Sequence, residues 1–198
     1  VPSWVGDPRE DLLERLNSKE KFTTPLQCPL ITHWLHNMTH DQVLDMLKYL
    51  GMDNRPEDKV KVVFVPCYLD GLDGIINKHY YDVVLCEDLT VYPSYYEPWG
   101  YTPLESVAFK VPTITTDLAG FGLWANTLKD GHYSEIEDGV KVIHRSDYNY
   151  SEVADVIRDT IVDFSNKTDA EVKKIRKNAS VVAEKALWKH FIKYYYEA

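Results

Sequence analysis

Short β-branched runs that alternate with helical segments are the feature that most constrains the fold of this chain of 198 residues. The four runs occupy residues 61–66, 89–93, 112–116 and 140–143, and proline closes the first two. Strands separated by a helix pair in parallel, because the helix carries the chain back to the starting edge of the sheet. We therefore predict an α/β fold with a Rossmann-like, doubly wound parallel sheet, covered by helices on both faces.

Helix start and stop signals predict the segments that flank these runs. Thr39 and Gln42 form a capping box, which opens a helix, whereas the Gly-Phe-Gly segment at 120–122 predicts a turn. The predicted helices cover residues 8–18, 39–50, 75–86, 103–110, 151–166 and 169–196. The C-terminal helices, over about 151–196, are expected to pack back on a single domain that comprises residues 1–198.

Open parallel sheets bind ligands outside the carboxyl ends of their strands, so the loops after the first three runs are the candidate sites. The loop after the second run reads PSYYEPWGYTPLES over residues 93–106. It combines three prolines and four aromatic residues with only two carboxylates, Glu97 and Glu105. A loop that is stiff, rich in aromatic residues and poor in charges indicates a site of ligand recognition.

Each of these two carboxylates allows a structural and a functional interpretation. Glu105 follows Thr102 by three residues, with Pro103 in the first helical position, so it could simply complete a capping box. Alternatively, the helix N-terminus holds a diphosphate and Glu105 reaches the hydroxyls of a ribose. Glu97 precedes Pro98 and is therefore extended; it is either a solvated loop residue or a carboxylate that accepts sugar hydroxyls between aromatic walls.

Charge and motif content exclude several other classes of function. The net charge of −9, without a basic block, disfavours nucleic acid and anionic membranes as partners. No apolar run approaches the ~20 residues of a membrane span, and no Gly-rich phosphate loop supports a dehydrogenase or a kinase. His33, His36 and His40 have a spacing that allows metal ligation, but no carboxylate or cysteine partner stands at helical spacing. We expect neither a metal nor a cofactor.

The three cysteines, Cys28, Cys67 and Cys86, lie far apart and form no C-x-x-C pair. This spacing indicates neither a disulfide framework nor a zinc site. Reduced, mostly buried thiols in a cytoplasmic protein are the prediction.

The candidate loop and its flanks resemble a known family. PSYYEPWGYTPLES, followed by VPTITTDLAGFG, resembles the donor-binding domain of glycogen synthases that use UDP-glucose. The E-x7-E pattern occurs in many retaining glycosyltransferases of the GT-B fold, and the string YEPWGYTP is far more specific. The similarity includes PLITHWLHNM, KVVFVPCYLDG and VKVIHR, and covers most of the chain from about Pro29. It implies that the sheet is the C-terminal half of a GT-B fold.

The resemblance implies a role for each residue of the motif. Glu97 would be the catalytic residue, which holds hydroxyls of the donor glucose and steadies the charge of the reacting sugar. Glu105 would bind the ribose, and Tyr80 would stack on the nucleobase. Backbone N–H groups would bind the glucose and the diphosphate; they belong to Trp99, Gly100, Tyr101 and Thr102.

The implied reaction transfers glucose from UDP-glucose to the 4-hydroxyl of a glycogen or α-1,4-glucan chain, with retention and without a metal. The alternatives are a GT-B enzyme that uses ADP-glucose, and a non-catalytic module that binds a nucleotide sugar or a glucan. The family's arginine and lysine that clamp the diphosphate belong to a segment ahead of Val1, as does the N-terminal GT-B domain. The chain is therefore expected to be a fragment that is inactive alone. Its oligomeric state stays open, with a homo-oligomer included.

Overall fold

The computed structural model describes residues 30–33, 35–37, 40–130 and 132–197. These residues belong to two compact units, of which the first ends at Val83 and the second begins at Val84. The predicted helix over 8–18, Cys28 and Thr39 lie outside the described residues. None of the helices described below combines the length and the apolar character that crossing a bilayer requires.

Helix α1 of the first unit, Gln42–Tyr49, begins one residue after Asp41. The Asp41 carboxylate accepts hydrogen bonds from the backbone N–H groups of Val43 and Leu44, at 3.1 and 2.9 Å. The prediction of Thr39 as the cap is therefore wrong, since an aspartate nearer the helix satisfies its first N–H groups. The helix ends as predicted, because Gly51 follows with a φ of 68°.

The predicted strand over residues 61–66 is wrong, because this segment has no strand assignment. The Asn54 side chain occupies the place of a neighbouring strand: its Nδ2 donates to the Val62 carbonyl at 2.7 Å, and its Oδ1 accepts from the Val62 N–H at 2.8 Å. Thr32 similarly donates its hydroxyl to the Phe64 carbonyl, at 2.6 Å. Side chains thus satisfy backbone groups that a sheet partner would otherwise satisfy.

Helix α2, Tyr80–Val84, is much shorter than the predicted helix over 75–86. Asp73 explains the difference, because its carboxylate accepts the N–H groups of three residues of the preceding loop, Ile75, Ile76 and Asn77. Asn77 then has a left-handed φ of 51°, which a continuous helix does not allow.

The second unit contains a parallel sheet of strands β1 (Thr90–Val91), β2 (Thr113–Thr116) and β3 (Val140–Ile143), in that order. Both connections between these strands contain a helix, as the parallel pairing requires, but a helix was predicted only for the first connection. Three of the four predicted runs therefore form the α/β sheet, and β3 has the predicted bounds.

The helices of this unit are α3 (Tyr101–Ala108), α4 (Gly120–Thr127), α5 (Tyr150–Ser165), α6 (Asp169–Lys185) and α7 (Trp188–Glu197). Two predictions are wrong here. The segment at 120–122 begins a helix instead of a turn, and the single predicted helix over 169–196 is divided between Lys185 and Trp188. The first error has a steric cause: a Cβ on Gly122 would lie 2.1 Å from the Thr116 carbonyl oxygen, so these glycines allow α4 to approach β2.

Side chains from both faces of the sheet are buried. On one face, Val140 and Val142 of β3 join a cluster with Val107 of α3, Phe121 of α4 and Ala179 of α6. On the other face, a second cluster contains residues of β2, β3 and α5: Ile114, Ile143 and Val153. Helices therefore cover both faces, which confirms the doubly wound arrangement.

Candidate functional site

The loop between β1 and α3 is joined to the loop between β2 and α4 by backbone hydrogen bonds. The N–H of Glu97 donates to the Leu118 carbonyl at 3.2 Å, and the Glu97 carbonyl accepts from the Gly120 N–H at 3.1 Å. The Trp99 carbonyl accepts from the Phe121 N–H at 2.6 Å. These bonds continue the parallel pairing beyond the ends of the strands and fix the backbone of Glu97 at the carboxyl edge of the sheet.

The Glu97 side chain is available to a ligand. It is partly buried, and its carboxylate has no hydrogen-bond or ion-pair partner among the described residues. A Cβ on Gly100 would lie 3.5 Å from the Glu97 Cγ and 3.2 Å from the Pro103 Cγ. Because Gly100 lacks that atom, the space beside the Glu97 side chain stays open.

Helix α3 begins with open backbone donors. Gly100 is its N-cap, with a φ of 102° and no side-chain cap, and Tyr101 is the first helical residue. The predicted capping box is therefore wrong: Thr102 lies inside the helix, and Pro103 occupies the third helical position. The helix begins two residues earlier than predicted because Gly100 adopts a left-handed conformation, which glycine allows.

The first amide groups of α3 have the geometry of an anion site. Within the described part of the chain, the N–H groups of Trp99, Gly100, Tyr101 and Thr102 donate no hydrogen bond. Together they carry the partial positive charge of a helix N-terminus, which suits a phosphate. Glu105 is half-buried one turn further along. Helical side chains lean toward the N-terminus, so its Cα–Cβ bond tilts toward this first turn.

The Trp99 ring packs in a cluster of aromatic rings. Its centroid lies 6.1 Å from the Phe121 ring, 6.0 Å from the Trp124 ring and 5.6 Å from the Phe191 ring, in a cluster that joins the loop to α4 and α7. Tyr96 and Tyr101, in contrast, are exposed. Only the backbone of Trp99 is therefore suited to the predicted ligand contact.

Tyr80 lies in the first unit, whereas the other predicted site residues lie in the second. It is the first residue of α2, and its half-buried ring lies 5.4 Å from the Tyr81 ring, at an angle of 55°. Its predicted contact with a nucleobase stays a prediction.

A polar cluster at the carboxyl ends of β2 and β3 was not predicted. Asp117 is its centre: Oδ2 lies 2.6 Å from the His144 Nδ1 and accepts from the Tyr133 hydroxyl at 3.0 Å, and Oδ1 accepts from the Arg145 N–H at 2.9 Å. Partial burial alone would raise the pKa of Asp117, but the hydrogen bonds from His144, Arg145 and Tyr133 outweigh it, so the pKa is lowered. Burial and the contact with Asp117 raise the pKa of Tyr133.

The sequence carried a partial signal for this cluster. Asp117 and His144 each directly follow a predicted strand, which places them at the ligand-binding edge of a parallel sheet. Their pairing joins positions 27 apart, however, and no local pattern indicates it.

Groups that could hold a metal ion are absent from the described residues. His33, a member of the histidine cluster considered above, has both ring nitrogens occupied within the first unit. Its Nδ1 lies 2.9 Å from the Thr32 hydroxyl, and its Nε2 lies 2.7 Å from the Asp73 carbonyl oxygen.

Comparisons with known proteins agree with the resemblance seen in the candidate loop. A family model described as glycogen synthase matches residues 14–198. A glycogen [starch] synthase of Neurospora crassa is 32% identical over 157 residues, which are 79% of this chain and 21% of that protein. One of Caenorhabditis elegans is 37% identical over 135 residues, or 67% of this chain and 20% of that protein.

The glycogen [starch] synthase of human liver is 36% identical over 118 residues, which are 57% of this chain and 17% of that protein. The chain thus spans about a fifth of the length of the curated relatives it matches. The matched residues extend from residue 14 of the first unit through the second unit and include the whole of the candidate loop. This chain belongs to the glycogen synthase family.

Proposed function

We propose that the protein transfers glucose from a nucleotide sugar, preferentially UDP-glucose, to the 4-hydroxyl of an α-1,4-glucan such as glycogen. The transfer retains the anomeric configuration. The observation that carries this proposal is the position of the Glu97 carboxylate beside the amide groups that begin α3, none of which has a hydrogen-bond partner among the described residues. In a member of the glycogen synthase family, these features suit a donor whose sugar becomes positively charged while its diphosphate leaves.

Each part of the site has a defined task in this proposal. The N–H groups of residues 99–102 bind the diphosphate and the glucose, and they stabilise the negative charge of the leaving group. Glu97 accepts glucose hydroxyls and stabilises the positive charge that develops at the anomeric centre. Glu105 binds the ribose, and Tyr80 stacks on the base. The proposed reaction uses neither a metal nor a cofactor.

The proposed partners are the nucleotide sugar, the glucan and an N-terminal GT-B domain of the same polypeptide. A cytoplasmic location is proposed as well. Cys67 and Cys86 were predicted to be mostly buried, but both are exposed. Cys67 is a free thiol, and exposed free thiols persist in a reducing compartment.

Glucose transfer to glycogen tests the proposed function. The protein with its natural N-terminus should transfer glucose from UDP-glucose, and more slowly or not at all from ADP-glucose offered separately. Radiolabelled donor and recovery of the polysaccharide measure the rate. A preference for ADP-glucose would change the assigned donor and leave the rest of the proposal intact. Transfer from neither donor, with UDP still quenching tryptophan fluorescence, would instead indicate a binding module and overturn the proposal.

Substitution of Tyr80 tests the proposed base contact. Base–aromatic stacking contributes about 1–3 kcal/mol, so Tyr80→Ala should weaken UDP binding by roughly 5- to 150-fold. Calorimetric titration with UDP measures the change. Tyr81→Ala is the matched control, because Tyr81 is the neighbouring tyrosine of the same helix and has no proposed ligand role. Equal losses in both variants would contradict stacking on Tyr80, since they would reflect helix packing instead.

A further inference from the structure

Arg145 connects the end of β3 with the loop that carries Glu97. Its guanidinium donates a hydrogen bond to the Pro93 carbonyl. The guanidinium carbon also lies 5.1 Å from the centroid of the Tyr95 ring, over its face. Since β2 lies between β1 and β3, the side chain reaches across the carboxyl edge of the sheet to residues that precede Glu97 by two and four positions.

Arg145 is itself held in place by the polar cluster around Asp117. Its backbone N–H donates to Asp117 Oδ1 at 2.9 Å. The Asp117 N–H in turn donates to the Ile143 carbonyl at 3.0 Å, which extends the β2–β3 pairing. His144 and Tyr133 occupy the other carboxylate oxygen. Hydrogen bonds between the segments that follow β2 and β3 therefore hold the backbone of Arg145 in place.

Among the described residues, the side chains of Arg145 and Thr116 hold residues 93–95, which precede Glu97 in the loop. Arg145 holds Pro93 and Tyr95, and the hydroxyl of the fully buried Thr116 donates to the Ser94 carbonyl at 2.6 Å. After Glu97, the backbone is bonded to the β2–α4 loop. Arg145 thus supplies the outer of the two side-chain supports at the start of the loop.

The contacts of Arg145 differ from those of an ordinary surface arginine. Arg158 on α5 illustrates the ordinary case, because its guanidinium is exposed and pairs with two exposed carboxylates, Asp155 and Asp159. Arg145 instead contacts a backbone carbonyl and an aromatic face, both within one loop. A planar guanidinium can make these two contacts at once, whereas an ammonium group makes either alone.

We propose that Arg145 is a positioning residue for glucose transfer, which sets the place of the Glu97 carboxylate relative to the first turn of α3. This inference rests on the proposed function. A displacement of about 1 Å in a reacting group can cost about 10²-fold in rate. The amides of α3 do not belong to the segment that Arg145 holds, so loss of Arg145 should affect the chemical step more than nucleotide binding.

Kinetic and calorimetric analysis of three variants tests the proposal in the protein with its natural N-terminus. Arg145→Ala should lower kcat for glucose transfer by about 10²-fold. The Kd for UDP and the number of UDP sites per chain, both from titration, should remain those of the unsubstituted protein. Arg145→Lys should recover part of kcat, and the control Arg158→Ala should change none of these values.

Hydrogen exchange gives a readout that does not depend on activity. Arg145→Ala should accelerate exchange of the backbone amides over residues 94–97, and Arg158→Ala should not. Unchanged kcat in Arg145→Ala, or unchanged exchange in this segment, would refute the positioning role while leaving the proposed function intact. If the number of UDP sites per chain fell by the same factor as kcat, the positioning role would be refuted too, because the loss of activity would then reflect unfolding. Absence of transfer in the unsubstituted protein would overturn both proposals.

Discussion

Glu97→Gln is expected to lower kcat for glucose transfer by about 10²–10³-fold while UDP binding and thermal stability persist. Glutamine has nearly the same shape as glutamate, so the loop should keep its conformation. The substitution removes the negative charge that faces the developing positive charge of the sugar. Because the Glu97 carboxylate has no partner among the described residues, its neutralisation leaves no group of the fold unpaired.

Transfer assays, UDP titration and thermal unfolding together check this expectation. Glu57→Gln is a suitable control, because Glu57 is an exposed glutamate in a turn of the first unit. A Glu97→Gln variant that retains more than a tenth of the activity would show that the charge of Glu97 is dispensable. A parallel loss of UDP binding would instead assign Glu97 to nucleotide affinity, and would leave its catalytic role without support.

The sheet of the second unit could be predicted because its strands are marked by local sequence. Each contains β-branched residues that point into a buried layer, and each is bounded by proline, glycine or aspartate. The run at 61–66 has the same composition and yet forms no strand. Its backbone partners are the side chains of Asn54 and Thr32, which lie 8 and 32 residues from the groups they contact, and such contacts leave no periodic signal.

The candidate loop follows a strand of the parallel sheet, as the sequence predicts, but the predicted start of the helix after it is wrong. Hydroxyl and carboxylate spacing indicated a cap at Thr102, whereas the left-handed Gly100 begins the helix. The glycines at 120 and 122 were interpreted as a turn, but they begin a helix. They are glycines because backbone atoms of other segments lie where a Cβ would be. A glycine that is required by a tertiary contact resembles a glycine that is required by a turn until the contact is known.

Gly120→Ala is expected to lower glucose transfer by about 10²-fold and the free energy of unfolding by about 1–3 kcal/mol. The new Cβ would lie 2.3 Å from the Pro98 carbonyl oxygen and 3.2 Å from the Trp99 Cα, and backbone atoms cannot rotate away. Alanine favours a helix over glycine by about 1 kcal/mol, which is too little to offset this overlap. The loop must therefore move away from α4, and Glu97 moves with it.

A matched control separates this displacement from the general cost of substituting a glycine. Gly51→Ala meets no atom within 4 Å, but its φ of 68° is strained for alanine, which costs about 1–2 kcal/mol. It should therefore reduce stability about as much as Gly120→Ala without a change in kcat, as measured by chemical denaturation and transfer assays. If Gly120→Ala lost only stability, the loop would have relaxed without moving Glu97. The hydrogen bond from the Gly120 N–H to the Glu97 carbonyl would then contribute nothing to the position of the carboxylate.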